Sequence, residues 1–316
     1  MTQDERRRVI PFAVRAALAS VAMASALLVL KGWAAWASGS VAMLGSLADT
    51  GLDLLASVVT LYGVRLAATP ADHDHRYGHG KAEALAALFQ VMLITASAIA
   101  IAWRAVMQLG TARGGQEAEL GIVASLAAIA ATLVLLGYQR HVIRQTGSVA
   151  IMADQVHYQS DLAVNVAVIL ALVLDQYLGV RGADPVFGIL IAAWLAYGAF
   201  GASTHAIDML MDKEWPDDQR AAFLDVAARQ EGLRGIHDFR TRRAGSHDFA
   251  QFHMEVDANL TVARAHDLVE AVECNLKRAF PRVEVLIHLD PEGHVDTDNP
   301  LVETDVTPHW FGKRAY

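Results

Sequence analysis

Cysteine is all but absent from this chain. The single Cys274 among 316 residues excludes a disulfide framework and any cysteine-cluster metal site, so the chemistry must use oxygen and nitrogen ligands; Cys274 itself reads as a packed helix residue. Charge is scarce too. Asp, Glu, Lys and Arg make up 19% of the residues and hydrophobic types 54%, an apolar share above that of an ordinary soluble domain, which points to a membrane protein. There is no nucleophile constellation, no nucleotide-phosphate loop and no HExxH motif, so an enzyme is the least favoured class. No strong repeat or low-complexity tract is present, and no small-residue cleavage pattern follows the opening "DERRR". The first apolar run is therefore expected to be a retained span rather than a signal peptide.

What the chain does have is long apolar runs. Six segments, roughly Pro11 to Trp36, Ser40 to Ala67, Ala82 to Leu109, Leu120 to Val142, Ser148 to Leu174 and Val186 to His205, can each supply the ~20 residues that cross a hydrocarbon core of about 30 Å. Basic residues fall on one side of this pattern, at Arg6, Arg7, Arg8, Arg65, Arg76, Lys81, Arg140 and Arg144, while the opposite loops offer little beyond Arg113 and Arg181. Both termini are expected to be cytoplasmic. Arg15 and Lys31 bracket the first span and are expected to reach for the interfaces.

Charge then divides the chain. Residues 1–208 carry 13 Lys+Arg against 14 Asp+Glu, and residues 209–316 carry 13 against 20. Beyond Met211, "DDQRAAFLDVAARQ" and "VARAHDLVEAVECNLKRAF" have helical spacing, whereas "HDFRTRR", "FAQFHMEVD" and "VEVLIHLD" read as strands. The expected architecture is an α-helical integral membrane protein with six transmembrane helices, plus a small C-terminal cytoplasmic α/β domain in the order αββαβ. Residues 1–208 are expected to form the six-span membrane domain, 209–291 the soluble domain, and 292–316, which lack periodicity, a loose tail.

The stretch "ADTGLD" puts Asp49 and Asp53 on one face of the second span. An ionised carboxylate at the bilayer centre costs about 2.5–3.5 kcal/mol even on insertion scales, so such residues face a cavity or a partner. The fifth span answers with His157 and Asp161, also at i and i+4. Three carboxylates and one imidazole suit a four-coordinate divalent cation; the competing reading is that the aspartates are solvated at span ends and His157 bonds between helices. Asp154, one turn before His157, reads as a helix-start residue or as a partner of the ligands, with the former favoured. Asn165 reads as an interspan hydrogen bonder.

"SVAMLGSLADTGLDLLAS", "PADHDHRYGHGKAEALAALFQ", "HYQSDLAVNVAVILAL" and "VLIHLDP" together resemble the cation diffusion facilitator family, most closely its bacterial ferrous-iron and zinc efflux members. The resemblance runs from about residue 10 to 291. It implies a metal efflux carrier of the bacterial inner membrane, a homodimer that exchanges metal for protons by alternating access, with the transport site at Asp49, Asp53, His157 and Asp161. Proton coupling also has a physical basis, because protons and metal compete for the same ligand atoms.

The resemblance further implies a loop site at Asp72, His75 and His79, with His73 and Asp74 as extra candidates and Gly78 and Gly80 permitting a tight turn. It pairs Lys81 with Asp212 in a charge contact between protomers. It also implies a binuclear cytoplasmic site of His237, His253, His266, His288 and Asp290, spaced by 16, 13, 22 and 2 residues. Alternation independently sends Val283, Val285, Ile287 and Leu289 to one face and His288 and Asp290 to the other, and places Phe252, Met254 and Val256 in the core with His253 opposite.

The cargo suggested by an Asp3His set is Zn2+ first, with Fe2+ or Cd2+ as further candidates and Mn2+ or Co2+ not excluded. Expected partners are the second protomer, membrane lipid, metal ions and protons, and no nucleic acid. A membrane metal sensor without transport would have no use for ligands at membrane depth, and a passive channel would not use so tight a site.

Overall fold

The computed structural model describes residues 3–38, 41–108, 118–178, 183–245 and 247–294; Arg113, Arg181 and the tail from 295 on lie outside them. Six long helices come first: α1 (Gln3–Ser38), α2 (Val41–Ala67), α3 (Ala82–Gln108), α4 (Ala118–Thr146), α5 (Val149–Leu178) and α6 (Ala183–Leu210). Then follow α7 (Asp217–Ala227), β1 (Gly235–Ala244), β2 (His247–Val256), α8 (Val262–Ala279) and β3 (Val283–Pro291), the αββαβ order read from the sequence. Among the described residues, Phe12–Trp33, Asp49–Ala67, Ala82–Met107 and Pro185–Leu210 are long and apolar enough to cross a membrane. The chain separates into two compact units between Ile207 and Asp208.

In the helical unit, small side chains let the backbones approach. Ala13, Ala16 and Ala17 of α1 meet Val64, Ala86, Val142, Ala150 and Ile151 from α2, α3, α4 and α5. The closest approach is at Gly63 of α2, where an added Cβ would stand 2.4 Å from the Cβ of Ala86 on α3. Lipid tails are as apolar as the helix surfaces, so such close packing substitutes for a hydrophobic driving force between spans. Gly147, at φ +65°, ends α4 by donating to the carbonyl of Ile143 at 2.8 Å. The buried Glu83 of α3 then accepts from the Ser148 hydroxyl and the N–H groups of Val149 and Ala150, capping the start of α5.

The C-terminal unit is one three-stranded sheet in the order β1-β2-β3, with β1 antiparallel and β3 parallel to the central β2. One face packs on α7 and α8 through Phe223, Leu224, Val272, Leu276, Phe252 and Met254. The expected core positions hold: Phe252, Met254 and Val256 are 1%, 0% and 3% exposed. A bulge between His237 and Arg240 shifts the parity of β1, so that Ile236 and Phe239, three residues apart, both reach the core. Alternation along β3 fails at its end, where Leu289 is exposed and Asp290 is buried. Cys274 lies on the exposed side of α8 rather than packed.

Candidate metal centres

The first centre joins α2 to α5. His157, buried in the bundle, has Nε2 3.1 Å from Oδ1 of Asp53 and 3.8 Å from Oδ2 of Asp161. Ligand atoms of all three lie within 4.8 Å of one another, a separation that one small cation can bridge with nitrogen and oxygen donors. Two of the three ligands come from one helix turn, so the geometry depends on how α2 is set against α5. Three of the four residues expected here therefore converge. Asp49 does not: its side chain is exposed and stands one turn before Asp53, about 6 Å away along the axis.

The second centre is the loop between α2 and α3. Asp72 Oδ1 accepts the backbone N–H of His75 at 2.7 Å and of Asp74 at 3.0 Å, and the loop turns back through Gly78 at φ +80°. The turn brings His75 Nδ1 and His79 Nε2 each to 3.3 Å from an Asp72 oxygen. Thr69 Oγ1 engages His79 Nδ1 at 2.9 Å, so Nε2 is the nitrogen free for the cluster. The His75 N–H holds the Asp72 carboxyl below the usual carboxylate range. All three ligands expected by resemblance meet here; His73 and Asp74 are exposed and outside the trio.

The third centre follows from sheet register. His237 pairs with His253 and His253 with His288, which sets three imidazoles in a row across the strands. Ring centroids are 5.0 Å apart for the first pair and 4.6 Å for the second, the spacing of adjacent strands. Asp290, two residues beyond His288, lies 2.7 Å from His253 Nδ1, 3.4 Å from His237 Nε2 and 3.4 Å from His288 Nε2. His237, His253 and Asp290 form the tight cluster, with His288 at its exposed rim. Both ring nitrogens of His237 are buried without a hydrogen bond, which a metal would relieve. The donor set therefore fits a bound divalent cation. His266 does not join it within the protomer: it is exposed on α8, 3.6 Å from Glu270.

Sequence reasoning missed several residues beside these centres. Glu255 stands 3.1 Å from His237 Nδ1, and Asp238, turned inward at φ +47° beside the bulge, 3.7 Å from His253 Nε2. A bulge has no pattern signature in a single chain, but Glu255 shares His253's face by alternation and could have been found. Asp154, favoured as a helix-start residue, lies instead past the first turn of α5, which begins at Val149; it is fully buried, and accepts from Ser20 at 2.6 Å, Gln90 at 2.8 Å and Gln139 at 2.8 Å. Asn165 donates to the Asp161 carbonyl of its own helix at 2.7 Å. Lys31 donates to the buried Thr50 of α2 at 2.7 Å instead of reaching outward. Asp212, at φ +54°, lies 3.8 Å from Arg242.

Ligands that converge inside a bundle of apolar helices define a membrane transport protein for cations. Residues 17–211 match the cation efflux transmembrane domain, and residues 215–292 the cytoplasmic domain of cation efflux proteins. The chain is similar to the cation-efflux pump FieF of Cronobacter sakazakii, 43% identical over 277 residues that cover 88% of this chain and 92% of that one. FieF of Yersinia pestis is 42% identical over 276 residues, covering 87% and 92%. Among solved structures, the zinc form of the putative zinc transporter CzrB is 35% identical over 27% of this chain and 98% of its own, with a TM-score of 0.25. The metal-bound C-terminal domain of the CzcD transporter from Thermotoga maritima is 29% identical over 25% and 93%, with a TM-score of 0.24. This chain belongs to the cation efflux family, and its function is divalent metal cation efflux across a membrane.

Proposed function

We propose that the chain exports zinc, with Fe2+ and Cd2+ as further cargoes, in exchange for protons. The observation that carries this reading is the meeting of Asp53, His157 and Asp161 in the helical unit. Asp49 completes a fourth position if α2 turns by part of a helical step, a change compatible with alternating exposure of the site. A dication leaving these residues uncovers carboxylate and imidazole atoms that protons then occupy. No step in this reading makes or breaks a covalent bond, so the protein acts as a secondary transporter and not as an enzyme.

The domain division that suits this role assigns 1–208 to transport, 209–291 to metal binding and dimerisation, and 292–316 to a tail. The protein is a homodimer of the bacterial inner membrane with both termini in the cytoplasm, and Lys81 and Asp212 form a charge contact between protomers. His237, His253, His266, His288 and Asp290 would form a resident binuclear cytoplasmic metal site, and Asp72, His75 and His79 a separate loop site; the cytoplasmic metal would supply a cross-link among the strands that bear its ligands.

Proteoliposomes carrying an internal pH dye test the exchange. Zinc added outside an acidic lumen should enter and raise the internal pH, with cadmium and ferrous iron behaving alike and manganese entering more slowly. Zinc entry without any change in internal pH would rule out the proton exchange.

A further inference from the structure

Asp154 is the one carboxylate of α5 that the transport centre does not use although it lies one turn from His157. It is fully buried. Its described hydrogen-bond partners come from three other helices: Ser20 on α1, Gln90 on α3 and Gln139 on α4. Gln90 extends the network to Thr60 on α2 at 3.1 Å, and Gln139 also donates to Ser20 at 3.0 Å. Every one of these groups is neutral; Thr60 accepts from Gln90, while Ser20, Gln90 and Gln139 each donate to Asp154, the environment that an acceptor-only ionised carboxylate requires. The charged group that acts on Asp154 is His157 of its own helix, with Asp53 and Asp161 beyond it.

A buried carboxylate with neutral partners only is costly, because hydrogen bonds repay part of the desolvation penalty and a counter-charge must repay the rest. Among the described residues no Lys or Arg is paired with Asp154. Once the His157 nitrogen is given to the metal, the counter-charge available is the cargo itself. Residues at i and i+3 of a helix have Cβ atoms about 5–6 Å apart, which puts Asp154 within strong electrostatic range of a dication on His157 without touching it.

We infer that Asp154 is a positioning and affinity residue for the transported cation: it supplies a further negative charge to the α2/α5 site from one turn away, and its donor cage holds α5 in register with α1, α3 and α4. The inference rests on the transport site proposed above. Even at the dielectric constant of bulk water, removing a unit charge on the order of 6–10 Å from a dication weakens binding by about four- to tenfold.

The test is zinc uptake by the full-length protein in proteoliposomes. Asp154→Asn keeps the shape and removes the charge; it should raise KM for zinc about four- to tenfold while the dimer stays intact. The exchanged pair D154N/Q139E returns a carboxylate to the same cage and should recover most of the affinity, also covering the case in which D154N alone does not fold. Ser20→Ala keeps the charge and trims the cage, so it should change thermal stability and leave KM within about twofold. A folded D154N dimer with wild-type KM would overturn the inference, as would a Ser20→Ala shift in KM as large as that of D154N. Absence of uptake by the wild type would instead count against the transport reading.

Discussion

A metal site of this kind is recognisable by how its side chains respond to deletion. Asp161 is partly exposed and holds its place through His157, so trimming it removes a ligand without opening a packed core. Asp161→Ala or Asp53→Ala is therefore expected to abolish zinc uptake while leaving a folded dimer, measured by size-exclusion chromatography beside the uptake assay. In the C-terminal unit the opposite holds at Phe252, which is 1% exposed and packs edge-on against the stacked pair Phe223 and Phe239. Phe252→Ala should cost about 3–5 kcal/mol, seen as a lowered denaturant midpoint for that unit. The ligand pairs at i and i+4 were legible in the sequence because helical spacing alone puts them on one face. Asp49 shares that face yet stands a turn away from the cluster, since periodicity gives the face of a helix but not the level at which a neighbouring helix meets it.

At the scale of the element, the helices are fixed as much by small residues as by ligands. Gly63 leaves no room for a Cβ against Ala86, so Gly63→Ala should push α2 from α3, cost about 1–3 kcal/mol and reduce transport without altering the cytoplasmic unit. A variant that transports normally with an unchanged melting temperature would show that the contact yields freely. The strands tell a different story about legibility. Alternation correctly gave the core positions of β2, but the row His237, His253, His288 required the pairing register and the bulge in β1. Neither is encoded in local periodicity; both depend on which strands meet. The donor cage of Asp154 was hidden for the same reason, as Ser20, Gln90 and Gln139 are spread over 120 positions of sequence.

For the whole molecule, membrane architecture followed from composition and the lengths of the apolar runs, and the αββαβ order from a change in period after Met211. What could not be read was how distant helices share polar side chains, because apolar runs carry no address for their neighbours. Metal binding to the folded C-terminal unit should stabilise it by mass action, about 2.7 kcal/mol at a free metal concentration a hundredfold above Kd. Differential scanning of the full-length dimer with zinc and then with a chelator checks this: the transition should rise and fall back, and His237→Ala with His253→Ala should remove the response. Persistence of the full zinc shift in that double variant would place the stabilising site elsewhere.

The most direct measurement of the central claim is zinc uptake into sealed liposomes under an outward proton gradient, wild type against His157→Gln. His157 is the residue on which both carboxylates of the α2/α5 centre converge, and glutamine keeps a polar side chain of similar reach while removing the imidazole. Gradient-stimulated uptake by the wild type and none by the variant is the predicted result. Equal uptake by the two proteins, with the variant still a folded dimer, would contradict the assignment of this centre as the path of the metal.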